Sequence, residues 1–325
     1  MSYVEIKNIN SWREYVEIHE KIDLSPYIFR GQSNAIDAKG EFIKWKLESS
    51  FNRFYTKKNS FNFSSVLSQQ LQDQLFNSFY SKYLYNNITN LTAFNALQKC
   101  IYLQHYGIPT CLIDFTFDPM IAMYFAMSGI QGSSGSTYQD GNSIHFSTEI
   151  ERDYVSIYRI NTKILESAFS IKEINTESFD SYLLSYETHY HRDTALNAKL
   201  GLVLKPEEDR NFNLSAQKGC FLLFDNHNAK DIDIDGKLNV DFIRFLENHQ
   251  KYYNLNIAEP VMTIFNIRYN SFMRGQNRIM KNGVLDPNYI SAFEFLRRKK
   301  FIGKNLFDDI QGLKYDFNFM HDVDR

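Results

Sequence analysis

The sequence predicts an α+β fold in one domain, a small mixed or antiparallel sheet surrounded by helices. Three observations predict it. Apolar runs of strand length fall near 27–31, 112–116, 154–160, 219–224 and 261–267. Helical periodicity fills the periphery, about 41–105 and 270–325. The 325 residues include only six Pro, with no proline-rich linker, internal repeat or break in composition. One domain over 1–325 is therefore expected, not two separable ones.

The elements follow in order. Ser11-Trp12-Arg13-Glu14 is a capping-box pattern that opens a helix with Trp12, Tyr15, Val16 and His19 on one side. Tyr27-Ile28-Phe29 is a short apolar strand that stops at Arg30-Gly31-Gln32-Ser33. Residues 41–57, 66–85 and 91–105 read as helices. Gly107 and Pro109 then punctuate the chain. Leu112, Ile113 and Phe115 form a strand core that Asp114 and Thr116 interrupt. Pro119 suits the first turn of the next helix, and Asp118 before it can cap free N–H groups. That helix is apolar on nearly every side from Met120 to Ala126, so it is expected to be buried all round. Residues 131–143, rich in Gly, Ser and Asp, read as a loop, and 173–199 as mixed helix and loop. Helices are expected near 270–281 and 289–298.

Composition excludes several classes. Hydrophobic residues at 43% and charged ones at 23% describe a globular chain, not a disordered or fibrous one. The 28 Phe and 21 Tyr point to a large core rather than a base-stacking surface. Lys+Arg at 36 against Asp+Glu at 38 argues against a globally basic nucleic-acid binder. Cys100, Cys111 and Cys220 are odd in number and widely spaced, which suits a reducing compartment and neither a disulfide framework nor a zinc site. The N-terminal stretch lacks a signal-peptide core, and no window is apolar enough to span a bilayer, so a cytoplasmic location without membrane association is expected. No metal is expected. His189-Tyr190-His191 has no third ligand at a usual spacing, and Asp231 to Gly236 begins like a calcium loop but has Phe242 where a bidentate Glu must stand. Alternating Ile232 and Ile234 suggest an edge strand there instead. Neither a Walker loop nor a dinucleotide Gly fingerprint is present.

Three segments carry a family pattern. Phe29-Arg30-Gly31-Gln32 resembles the motif that names the FRG domain, and Trp45 to Phe51 with Arg53 resembles that family's first helix. Gln104-His105-Tyr106-Gly107-Ile108-Pro109-Thr110, through Asp114-Phe115-Thr116 and Pro119 to Ala126, is similar to its central signature. Gln217-Lys218-Gly219-Cys220-Phe221 and the tail Leu306 to Leu313 are weaker matches. The resemblance departs in two places: Cys111 and Asn213 stand where members commonly have Arg. At fold level, the layout is more remotely similar to ADP-ribosyltransferases. Such enzymes hold NAD between strands that carry an Arg or His, then a Ser/Thr/Tyr segment with a helix, then a Glu or Gln. Arg30, Thr116 and Gln217 fall in that order.

That likeness implies an NAD-dependent ADP-ribosyltransferase-like enzyme, a toxin or anti-phage defence effector that modifies a protein or nucleic acid. A cognate antitoxin or operon partner would go with such a role. The alternative is a non-catalytic, nucleotide-binding or regulatory FRG module. The catalytic candidates are Arg30, His105 and Gln217, and the NAD-binding candidates are Arg30, Gly31, Gln32, Gln104, Asp114 and Thr116. Each also has a structural alternative. Arg30 either clamps a phosphate or ribose bidentately or pairs with Asp114. His105 either meets a ligand or caps its helix. Asp114 and Thr116, two apart on one strand face, either bind a ligand or tie strands together. Gln217 can position groups but cannot stabilise an oxocarbenium charge as a carboxylate does, so a nearby Glu207 or Glu208 is a further candidate.

Overall fold

The computed structural model describes residues 2–33, 47–50, 96–105, 109–128, 136–140, 143–147, 154–169, 171, 173, 199–204, 212–225, 241–253, 257–268, 280, 281, 284, 285, 295, 296 and 299. The fold is α+β, as expected. In chain order the strands are β1 (Val4–Ile9), β2 (Tyr27–Gln32), β3 (Leu112–Thr116), β4 (Ser136–Asp140), β5 (Ser143–Ser147), β6 (Tyr154–Asn161), β7 (Lys199–Val203), β8 (Gly219–Asp225), β9 (Met262–Arg268), β10 (Met280–Lys281) and β11 (Val284–Leu285). The helices are α1 (Trp12–Glu20), α2 (Ala96–His105), α3 (Pro119–Ser128), α4 (Thr162–Phe169), α5 (Phe212–Ala216) and α6 (Phe242–Tyr253). Seven strands form one mixed sheet in the order β1-β9-β6-β2-β3-β8-β7. Its β1–β9 pair is parallel, and the other pairs are antiparallel.

Strand alternation sorts the core onto the two faces. Ile28, Tyr158, Ile160, Ile264, Ile113, Phe115, Leu222 and Phe224 face α4 and α6, whose Leu165, Phe242, Phe245 and Leu246 complete one cluster. On the other face Phe29, Val155, Ile157, Phe265 and Ile267 pack under α1 and α3. A separate cluster there joins Leu112, Phe221 and Leu223 to Leu97 and Cys100 of α2 and to Leu214 of α5. The second face therefore has two covers, and β3 runs where they meet.

Local rules explain the helices. The Ser11 hydroxyl accepts from the Glu14 N–H at 3.3 Å. Glu14 returns a bond to the N–H of Asn10, one residue ahead of the cap. Trp12, Tyr15, Val16 and His19 are the buried residues of α1, the set that the spacing predicts. Asp118 caps α3 by accepting from the Met120 N–H at 2.9 Å. From Pro119 to Met127 that helix is buried except for Met120 and Phe125, which are half-buried. Ile121→Ala, at a fully buried site, is expected to cost about 2–5 kcal/mol, and Phe125→Ala less than a full core Phe. Urea unfolding of both variants checks this ordering, and a loss below about 1 kcal/mol for Ile121→Ala would contradict it.

Some expectations need correction. Residues 136–140 of the expected loop form β4, which pairs with β5 across Gly141-Asn142. Gly141-Asn142 between two alternating runs is a two-residue hairpin signal that the polar composition hid. Met280 and Lys281, placed at the end of a helix, pair with β11 instead. The helices at 66–85 and most of those at 41–57, 173–199, 270–279 and 289–298 lie outside the described residues, as do His189 to His191, the Asp231 to Gly236 run and the tail at 306–313.

Burial sets a pH dependence. His19 is 2% exposed, and its Nδ1 donates to the Tyr15 carbonyl at 2.7 Å. Among the described residues its Nε2 meets no partner. Desolvation pushes its pKa down from 6.5 to about 4. A group that the fold holds neutral binds its proton only after unfolding. It contributes stability that is complete above pH about 6.5 and is lost as pH falls towards about 4. Urea unfolding is expected to weaken over that window by up to about 1.4 kcal/mol per pH unit for one proton, and less in His19→Gln. Equal stability at pH 7 and pH 5 would contradict it. His249 is shifted the same way, to about 4, but it is half-buried and adds less.

Candidate functional site

The site begins where β2 and β3 part. β2 pairs with β6 over six residues, from Tyr27–Asn161 to Gln32–Ser156. With β3 it shares one pair, Phe29–Thr116. Beyond that pair the edge of β3 is not zipped to β2 by backbone bonds. The Asp114 carbonyl on this edge accepts instead from Arg30 Nη1 at 2.7 Å. By alternation Arg30 belongs to the face of Ile28 and Asp114 to the face of Leu112, so the guanidinium lies in the plane of the sheet, between strands. It also stands 3.8 Å from Asp114 Oδ2. Among the described residues the buried Arg30 Nε has no acceptor.

Asp114 is the exception on β3. The other four residues are buried, whereas its side chain is 62% exposed. Its Oδ1 accepts from Gln104 Nε2 at 2.5 Å. Gln104 Oε1 in turn accepts from the Thr110 hydroxyl. Thr110 is fully buried, and Ser50 Oγ holds its backbone at both ends, accepting from the N–H at 3.0 Å and donating to the carbonyl at 3.3 Å. Both ends of the Gln104 amide are thus engaged inside the protein, which makes it a support for Asp114.

Two residues further on, Thr116 closes the strand. Its hydroxyl donates to the Gln217 carbonyl at 2.7 Å and accepts from the Asp118 N–H at 3.1 Å. These bonds tie β3 to the turn before β8 and to the start of α3. Lys218 follows, with φ 47° between α5 and β8. Its ammonium meets Asp118 Oδ2 at 2.7 Å. Neither Lys218 nor Thr110 was singled out from sequence, although both lie inside quoted motifs.

Gly31 has a distinct task. A Cβ there would lie 1.8 Å from the Ala122 carbonyl oxygen and 2.6 Å from the Ala126 nitrogen. The close approach that this glycine permits is to the backbone of α3. Gln32 ends β2 opposite Ser156. His105 ends α2, and its side chain lies outside the described residues, as does that of Asn213. Cys111 is buried and outside any disulfide, like Cys100 and Cys220. Burial raises the pKa of the Cys220 thiol, and the Asp114 carboxylate raises it further. Arg30, Asp114 and Gln104 thus come together, with Thr116 beside them. Gln217 joins through its carbonyl.

A mixed sheet with an arginine set between two parting strands and a carboxylate braced beside it defines an α+β domain with a polar cluster at β3. The span from residue 25 to residue 134, which carries Arg30, Gln104, Asp114 and Thr116, matches the model of the FRG domain. Over that span the chain is similar to the FRG domain family. No curated protein and no solved structure matches the chain. Among the described residues no helix is long and apolar enough to cross a membrane, and no group of His, Cys, Asp and Glu side chains is placed to hold a metal ion.

Proposed function

We propose that this chain is an NAD-dependent ADP-ribosyltransferase-like enzyme whose cleft lies at the parting of β2 and β3. The observation that carries the reading is Arg30. A guanidinium between strands spends one N–H on a main-chain carbonyl, and among the described residues its buried Nε meets no acceptor. Such a fork suits a pyrophosphate or ribose oxygen, which makes bidentate, charge-assisted bonds. The carboxylate of Asp114 beside it fits the cationic nicotinamide ribose. In this reading Arg30 and the Gln32 end of β2 hold the dinucleotide, Gly31 keeps α3 in place beneath them, and His105 and Gln217 are the further catalytic candidates. The acceptor is a protein or nucleic acid, and the setting is a cytoplasmic toxin or phage-defence effector with a cognate antitoxin or operon partner.

A regulatory module that binds a nucleotide through the same cleft is the second reading. Cys111 and Asn213, in place of the family's arginines, and Gln217, in place of a carboxylate, favour it. Incubating purified protein with NAD separates the two. Nicotinamide release above the spontaneous rate supports the enzyme; NAD binding without release supports the module.

A further inference from the structure

The third motif offers Gln217 where a transferase needs negative charge, and the structure contains a carboxylate set up for that task elsewhere. Asp114 is exposed, yet its Oδ1 is held by a relay of Gln104, the fully buried Thr110 and Ser50. Its main chain is held from the opposite side by Arg30. An exposed ion pair contributes little to stability, about 0.2–1 kcal/mol, and needs no such bracing. A polar relay that is anchored on the buried Thr110 and fixes one solvent-facing carboxylate controls the direction of a charge. The neighbouring carboxylate, Asp118, is engaged otherwise, as the α3 cap and the partner of Lys218.

Resting on the NAD reading above, we propose that Asp114 is the catalytic carboxylate of this cleft and that Gln104 is its positioning residue. In the reaction the bond between the nicotinamide nitrogen and ribose C1′ breaks, and its electron pair leaves with nicotinamide. Positive charge develops on C1′ and the ribose ring oxygen. Asp114 Oδ2, the oxygen that Gln104 does not hold, faces that charge. A hydroxyl or water oxygen then bonds to C1′ and releases its proton to solvent. A fixed charge aimed at developing charge is worth far more than one that must reorient.

Asp114→Asn tests this because the amide oxygen still accepts from Gln104 while the charge is gone. The expected result is nicotinamide release slowed by about 100-fold or more. NAD affinity by calorimetry is expected to fall by no more than about tenfold, or 1.4 kcal/mol, well short of the loss in turnover. The melting temperature is expected to stay within about 5 °C of wild type. Gln104→Met is expected to lower turnover by about tenfold without changing affinity, because the carboxylate remains but is no longer aimed. An Asp114→Asn protein that turns over at the wild-type rate would overturn the assignment and leave the NAD reading intact. A variant that melts much earlier would assign Asp114 to the fold instead. Wild-type protein that releases no nicotinamide would overturn both.

Discussion

Gly31→Ala is expected to destabilise the chain by about 3 kcal/mol or more, at or above the top of the range for overpacking a core. The added methyl would fall 1.8 Å from the Ala122 oxygen, and the obstacle is helix backbone, which cannot rotate aside as a side chain can. Either α3 lifts from β2 or β2 shifts against β6, to which it is paired over its whole length. Lifting α3 would loosen a cluster that includes Ile121, Ala122, Met123 and Tyr124, all buried. Denaturant unfolding of wild type and variant measures the loss. A difference under about 1 kcal/mol would mean that α3 does not rest on the β2 backbone.

Arg30→Ala is expected to weaken NAD binding roughly 30-fold or more. A charge-assisted contact that is lost where it was buried typically costs about 2–5 kcal/mol, and each 1.4 kcal/mol is a factor of ten. Arg30→Lys is expected to recover little. An ammonium is a point charge, whereas Arg30 must serve the Asp114 carbonyl with one N–H and the ligand with others. Calorimetric titration of both variants with NAD gives the affinities. A lysine variant that binds as well as wild type would reduce the role of Arg30 to charge alone.

What was legible in the sequence is what local chemistry specifies. Ser11 and Glu14 announced α1, Asp118 and Pro119 announced α3, and the apolar runs gave β2, β3, β6, β8 and β9 almost to their ends. β1 was not legible. Val4-Glu5-Ile6-Lys7 alternates, but its Ile6 is 44% exposed at the sheet edge, and its partner β9 begins at Met262. No local signal reports a parallel partner so far along the chain. β7 was hidden in the same way, since Lys199 to Val203 becomes a strand by pairing with β8. At the site, residue types were legible and contacts were not. Arg30 and Asp114 could be matched by motif, yet their bond runs through a main-chain carbonyl exposed by the parting of two strands. Gln104 read as a ligand contact because its motif position is known and its internal partners Thr110 and Asp114 are not.

The central claim is that the cleft at β3 holds NAD, and a calorimetric titration of the wild-type chain with NAD tests it most directly. The account predicts saturable heat at one site and a matching rise in melting temperature, both diminished in Arg30→Ala. Absence of heat and of any thermal shift at millimolar NAD would contradict it.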